Sequence, residues 1–222
     1  MKKILVLSLL CIFSNSLSAQ ILRKCEREVS FGIATICLPT IENMKECFTN
    51  DTVNALALST EYPGNIVLGY YLMDSTYARL DQLDKIEMGN FFKVYAIEKL
   101  KDYKSDKEVL KQMCDVTEAS LKPAEWKEVK ETIENIVDSI TVGSPKLVDE
   151  YSNLANTKSY IMIVKYETET SSFVSIMALD IVLVQERILC LAYYSDYTGK
   201  ESQQKLKQLN DKVLKAFVEM NR

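Results

Sequence analysis

Asp81 and Asp84, three residues apart, share a face if their segment is helical, and a pair of acids is what glycoside hydrolysis uses as general acid and base. It is the one common hydrolytic chemistry left open, because the chain contains no histidine. Without imidazole there is no base for a Ser-His-Asp or Cys-His arrangement. A Ser-Lys pair is the histidine-free substitute. Ser202 and Lys205 have its spacing, with Ser195, Asp196, Thr198 and Gly199 just ahead of them. Enzymes of that kind draw their motifs from distant segments, whereas these are crowded into one turn, so a capped helix start is the reading adopted. Asp180 interrupts an apolar strand and is expected to point outward into solvent, since a buried carboxylate needs a partner. No catalytic residue is assigned.

Binding chemistry is narrowed in the same way. A closed zinc site without histidine needs several cysteines at short spacing, and the cysteines here are spread out. No run of oxygen ligands surrounds a glycine turn as in a calcium loop, and there is neither a phosphate-cradling loop nor a dinucleotide fingerprint. No metal and no cofactor are expected. Aromatic residues lean to tyrosine. Tyr160, Tyr166, Tyr193, Tyr194 and Tyr197 lie on or beside strand-like segments, where alternation sends half of them outward, so an exposed aromatic platform for sugar or peptide is a candidate site.

Residues 1–19 have the form of a secretory leader: Lys2 and Lys3, an apolar run from Ile4 to Phe13, then a small polar stretch ending at Ala19. The run is too short to span a bilayer, and Cys11 sits inside it rather than at its end, so cleavage before Gln20 without a lipid or membrane anchor is expected. Losing the two lysines takes the formal charge from −4 to −6, which disfavours nucleic acid and anionic membranes as partners. Five cysteines then remain, at 25, 37, 47, 114 and 190, an odd number in a compartment that favours bridges. The expected disulfide joins Cys37 to Cys47, which a short segment past Pro39 separates.

The elements that must position these groups are strands in front, helices in the middle, and strands with a closing helix behind. Val29 to Leu38 alternates as one strand, and Glu42 to Phe48 reads as two helical turns. Val53 to Thr60 and Ile66 to Leu72 flank Pro63-Gly64 as a hairpin. Helices follow from Phe91 through Leu100, from the capping box Ser105/Glu108, and from Pro123, where Trp126, Val129, Ile133, Ile136, Val137 and Ile140 line one face. Lys146 to Tyr151, Tyr160 to Glu167, Phe173 to Val184 and Ile188 to Tyr194 are strands joined by short turns, hence antiparallel. A capping box at Thr198 and Glu201 opens a last helix with the stripe Leu206, Leu209, Val213, Phe217 and Met220. The absence of a βαβ rhythm gives an α+β class, an antiparallel sheet flanked by helices, in one domain over 20–222.

The pattern from Val142 to Asn221, with the strand ILCLAYY from Ile188, the turn SDYTGKES from Ser195 and the closing helix, resembles the Mog1/PsbP-like fold, including the secreted DcrB-like proteins. That resemblance implies an α/β/α sandwich and an accessory or assembly role, binding rather than catalysis; the helical middle departs from it, and no functional residue is carried over. The expectation is therefore an exported, periplasmic or secreted binding module. Its partner would be an envelope protein or glycan, and the alternative is a carboxylate-dependent hydrolase of envelope glycan.

Overall fold

The computed structural model describes residues 24–80, 89–121, 140–168 and 172–222. The expected leader, the Asp81/Asp84 pair and the stripe from Trp126 to Val137 lie outside the described residues.

The rear of the chain folds as its β-branched and aromatic composition requires. β7 (Lys146–Tyr151), β8 (Thr157–Thr168), β9 (Ser172–Val184) and β10 (Arg187–Asp196) follow one another as antiparallel neighbours. Gln185 and Glu186 join β9 to β10 at positive φ, 47° and 58°, the geometry of a two-residue hairpin turn whose twist matches the strands. β6 (Ile140–Val142) lies along the far end of β8. On the other side, β5 (Phe91–Ile97) pairs with β10, β4 (Asn65–Met73) with β5, and β3 (Met44–Glu46) with β4. The result is an eight-stranded antiparallel sheet in the order β3-β4-β5-β10-β9-β8-β6, with β7 also on β8.

Both faces of the sheet are covered, each by the apolar side of something amphipathic. On one face lie α4 (Lys200–Met220), through Leu206, Val213, Leu214, Phe217 and Val218, and the hairpin of β1 (Cys25–Phe31) and β2 (Ala34–Pro39), through Phe31, Ile36 and Leu38. On the other, α1 (Asp51–Ser59) sets Val53 and Ala57 against Val67, Tyr70 and Leu72. α3 (Lys107–Ser120) packs Val109, Leu110 and Met113 against Tyr160, Met162, Ile181 and Ile188 on that same face. A single turn, α2 (Asp74–Tyr77), follows β4. The α+β class with an antiparallel sheet and flanking helices is thus what the chain forms.

Several segments differ from the sequence reading, each for a physical reason. Val29 to Leu38 is two strands, since Gly32 at φ 63° turns the chain so tightly against the Lys101 carbonyl that a Cβ there would overlap it. Val53 to Thr60 is helix: Asn50 Oδ1 accepts from the amides of Thr52 and Val53, and Ala55 to Leu58 are good helix formers. Glu42 to Phe48 holds strand β3, and the Phe91 segment is strand β5, where Phe92, Val94 and Ala96 point to the α4 side. Phe91 and Phe92 look helical only because a strand covered on both faces is apolar at successive positions. Asp106, not Ser105, caps α3, its carboxylate accepting from the amides of Glu108 and Val109. Ile140 opens β6 rather than ending a helix.

The disulfide is also corrected: Cys37 bridges Cys25, with Cα atoms 5.5 Å apart, and not Cys47. The β1–β2 hairpin returns Cys37 alongside the start of β1, while Cys47 lies beyond β3 in the α1 core, its thiol donating to the Tyr70 carbonyl at 3.2 Å. Cys37 is held on its other side too. The Asn221 side chain accepts from Cys37 N at 2.7 Å and donates to Cys37 O at 2.8 Å, tying the end of α4 to β2.

Candidate functional site

β1, β3 and the start of α1 enclose a cleft of about 390 Å³ lined by Glu26, Arg27, Lys45, Glu46, Cys47, Thr49, Asn50 and Tyr77. Its lining holds an ion pair of a buried carboxylate, Glu46, and a partly buried guanidinium, Arg27. Glu46 takes Arg27 Nε on one oxygen at 2.7 Å, and on the other Arg27 Nη2 at 3.0 Å with the amides of Phe48 and Tyr70, each at 3.2 Å. Arg27 also donates to the Leu68 carbonyl at 2.6 Å and lies 5.8 Å from the Phe48 ring centre, a cation–π contact. This fork geometry needs arginine, because a lysine has no planar donor set to match a carboxylate and a carbonyl together.

The rim carries a second pair, Lys45 to Glu26 at 3.0 Å, which is much more exposed than the first. The hydrogen bond and charge of Glu26 raise the Lys45 pKa, so the ammonium is held. Glu26 Oε2 is enclosed without a partner among the described residues. Thr49 and Tyr77 bring hydroxyls to the lining. Burial pushes the Cys47 thiol up to about 12, far above the range of a nucleophilic thiolate. The cleft therefore offers charges of both signs and neutral polar groups, with both Glu46 oxygens engaged by donors, Glu26 Oε2 unengaged among the described residues, and its sulfur inert. It can hold a polar ligand; it has no activated nucleophile.

The tyrosines singled out from sequence do not make a platform: none of the five is exposed. Tyr160 and Tyr193 are buried, Tyr160 giving its hydroxyl to Glu118 at 3.0 Å. Tyr193 faces the α4 side with Phe92, while Tyr194 points to the opposite face and stacks on Phe91 at 4.3 Å, as alternation demands. Tyr166 is half-buried and stacks on Phe173 at 5.0 Å, and Tyr197 packs at the edge of the α4 core. Tyr70, Phe91 and Tyr194 form a row beside Lys93, which pairs with Glu61 at 2.7 Å. Burial pulls Lys93 down, but Tyr194 and Glu61 together outweigh it and its pKa is raised.

Asp180 is wholly buried, contrary to the outward position expected, and Ser159 and Asn210 supply the partners that burial demands. Ser202 spends its hydroxyl on the Gly199 carbonyl at 2.6 Å and accepts from Thr198 N, so it shapes the start of α4. Sequence reasoning missed the cleft. Nothing in the spacing points to it, because Arg27 precedes the run read as a strand and Glu46 lies in the segment read as helical turns.

No family model matches this chain, and no curated protein does. Among solved structures, the Ran-binding protein Mog1p of Saccharomyces cerevisiae is similar over 87% of this chain and 93% of its own, at 11% identity and a TM-score of 0.37. A single-residue variant of Mog1 is similar over the same shares at 11% identity, with a TM-score of 0.39.

Proposed function

We propose that this protein is an exported, non-enzymatic binding or accessory module, one domain after a cleaved leader, whose partner is a protein of the cell envelope. The observation that carries the reading is the cleft of β1, β3 and α1. Two acid–base pairs of opposite polarity line it, which suits a polypeptide segment bearing charged side chains better than a neutral glycan. The Cys25–Cys37 disulfide beside the leader-like amino terminus supports export, since such bridges persist in oxidising compartments. Among the described residues no helix is long and apolar enough to cross a membrane.

The test is site-specific photo-crosslinking in the exporting cell. A photoreactive residue at Thr49 is expected to trap one discrete envelope protein, one at exposed Val116 on α3 is not, and Lys45→Glu should abolish the adduct. Equal adducts from both positions, or none from Thr49, would remove the cleft as the binding site. Release of reducing ends from purified envelope glycan by the wild-type chain would instead establish the hydrolase alternative.

A further inference from the structure

Within α4 the buried residues are apolar except one, Asn210, and it lies over the buried carboxyl of Asp180 in β9. Asp180 Oδ1 accepts from Ser159 Oγ of β8 at 2.5 Å and from Asn210 Nδ2 at 3.0 Å. Two buried acceptors in the cluster, Asp180 Oδ2 and Asn210 Oδ1, have no donor among the described residues. An ionised carboxylate leaves both unmet. A neutral carboxyl carries a hydrogen on Oδ2 and becomes the donor that the cluster lacks.

The surrounding charges do not compensate an ionised Asp180. On β7, Asp149 is paired with Lys207 of α4 at 2.6 Å, and the Tyr151 hydroxyl accepts from Asn210 Nδ2 at 3.4 Å. Lys207, the cation of this region, is committed to Asp149 and to the face of Tyr151, 4.0 Å from its ring centre. Asp211 of α4 accepts from Asn153 at 3.1 Å and bears the same sign as Asp180 would. β8 brings only Ser159, and β10 places Leu191 opposite.

We propose that this cluster is a proton-controlled latch on the carboxy-terminal helix: with Asp180 neutral α4 is seated on the sheet, and loss of that proton loosens it. The device shares no residue with the cleft and stands whether or not the cleft binds a partner. Burial is the main reason the Asp180 pKa rises, to about 7 from 3.8, with Asp211 adding to it and the bonds from Ser159 and Asn210 opposing. A carboxyl whose folded pKa lies above its unfolded value favours the folded state fully below about pH 4. That advantage is lost as pH climbs through about 7, roughly a thousandfold in the unfolding constant for this shift.

The experiment compares wild type with Asp180→Asn, which keeps a neutral group able to accept and donate. Melting is followed from pH 4 to pH 9, and exchange of α4 backbone amides at pH 6 and pH 8.5 is corrected for intrinsic rates. The variant should melt with the wild type near pH 4 and increasingly above it as pH rises, levelling off beyond pH 7. In wild type, α4 amides should lose protection at least tenfold at the higher pH while those of β3 and β4, which are held by the sheet ladder, do not. A melting difference that is the same at every pH, or α4 protection in the wild type that does not change with pH, overturns the latch. Should Asp180→Asn fail to fold, the wild-type exchange experiment decides alone.

Discussion

Glu46 is the side chain on which the cleft depends. Its two oxygens accept four donors, two from Arg27 and two from backbone amides, and its side chain is 2% exposed. A buried pair is weak grounds for net stability, but breaking one partner is costly, because the other is left charged and unmatched. Glu46→Gln keeps the shape and turns an acceptor into a donor facing donors. It should cost about 3 kcal/mol, read as a lowered urea midpoint with an unchanged slope. Lys45→Gln on the open rim should leave the midpoint where it was, since exposed pairs contribute little. An equal fall in both variants would mean that burial does not separate the two pairs. Neither role was legible in the sequence, where Glu26, Glu28, Glu42 and Glu46 look alike; the difference is made by β1 crossing beside β3, a contact 19 residues apart in the chain. Asp180 was legible as an anomaly in an apolar strand, yet not as buried, because Asn210 and Ser159 come from elements distant in sequence.

At the scale of elements, legibility follows how much of each face is buried. α4 and the strands β7 to β10 could be read because a helix with one wet side shows its 3.6-residue period, and short turns force antiparallel pairing. β5 could not, since a strand enclosed between two layers has no polar alternation to display. α1 was misread because the Pro63-Gly64 turn joins a helix to β4 as readily as it joins two strands. What the period of α4 does not reveal is its ending. Asn221 stands in for a neighbouring strand, bonding both backbone groups of Cys37 and also the Phe217 carbonyl at 2.9 Å. Asn221→Ala leaves a buried amide and carbonyl of β2 without partners, at a cost of about 3 kcal/mol. Hydrogen exchange should show the loss concentrated in Phe217, Val218 and the Cys37 amide. Uniform loss across the sheet would mean that the clamp has no local effect.

For the molecule as a whole, the cysteines join architecture to compartment. The Cys25–Cys37 bridge closes the hairpin that walls the cleft on one side and packs against α4 on the other. Closing a loop of that size contributes about 3 kcal/mol on the chain-entropy account, so a reductant should lower the melting temperature by roughly 8 °C. The three remaining thiols of the described chain differ in reach. Cys47 and Cys190 are buried, each pushed up to about 12 by that burial, whereas Cys114 is half-buried on α3 with its pKa raised mainly by burial. Native, unreduced protein purified from the cell exterior or envelope should therefore take one maleimide, at Cys114, and three once it is unfolded without reductant. Reduction before labelling should add two more, at Cys25 and Cys37. A fourth adduct in the unfolded, unreduced protein, at Cys11, would mean that the leader is retained, and labelling of Cys25 and Cys37 without reductant would mean that the chain matures in a reducing compartment and the export reading fails.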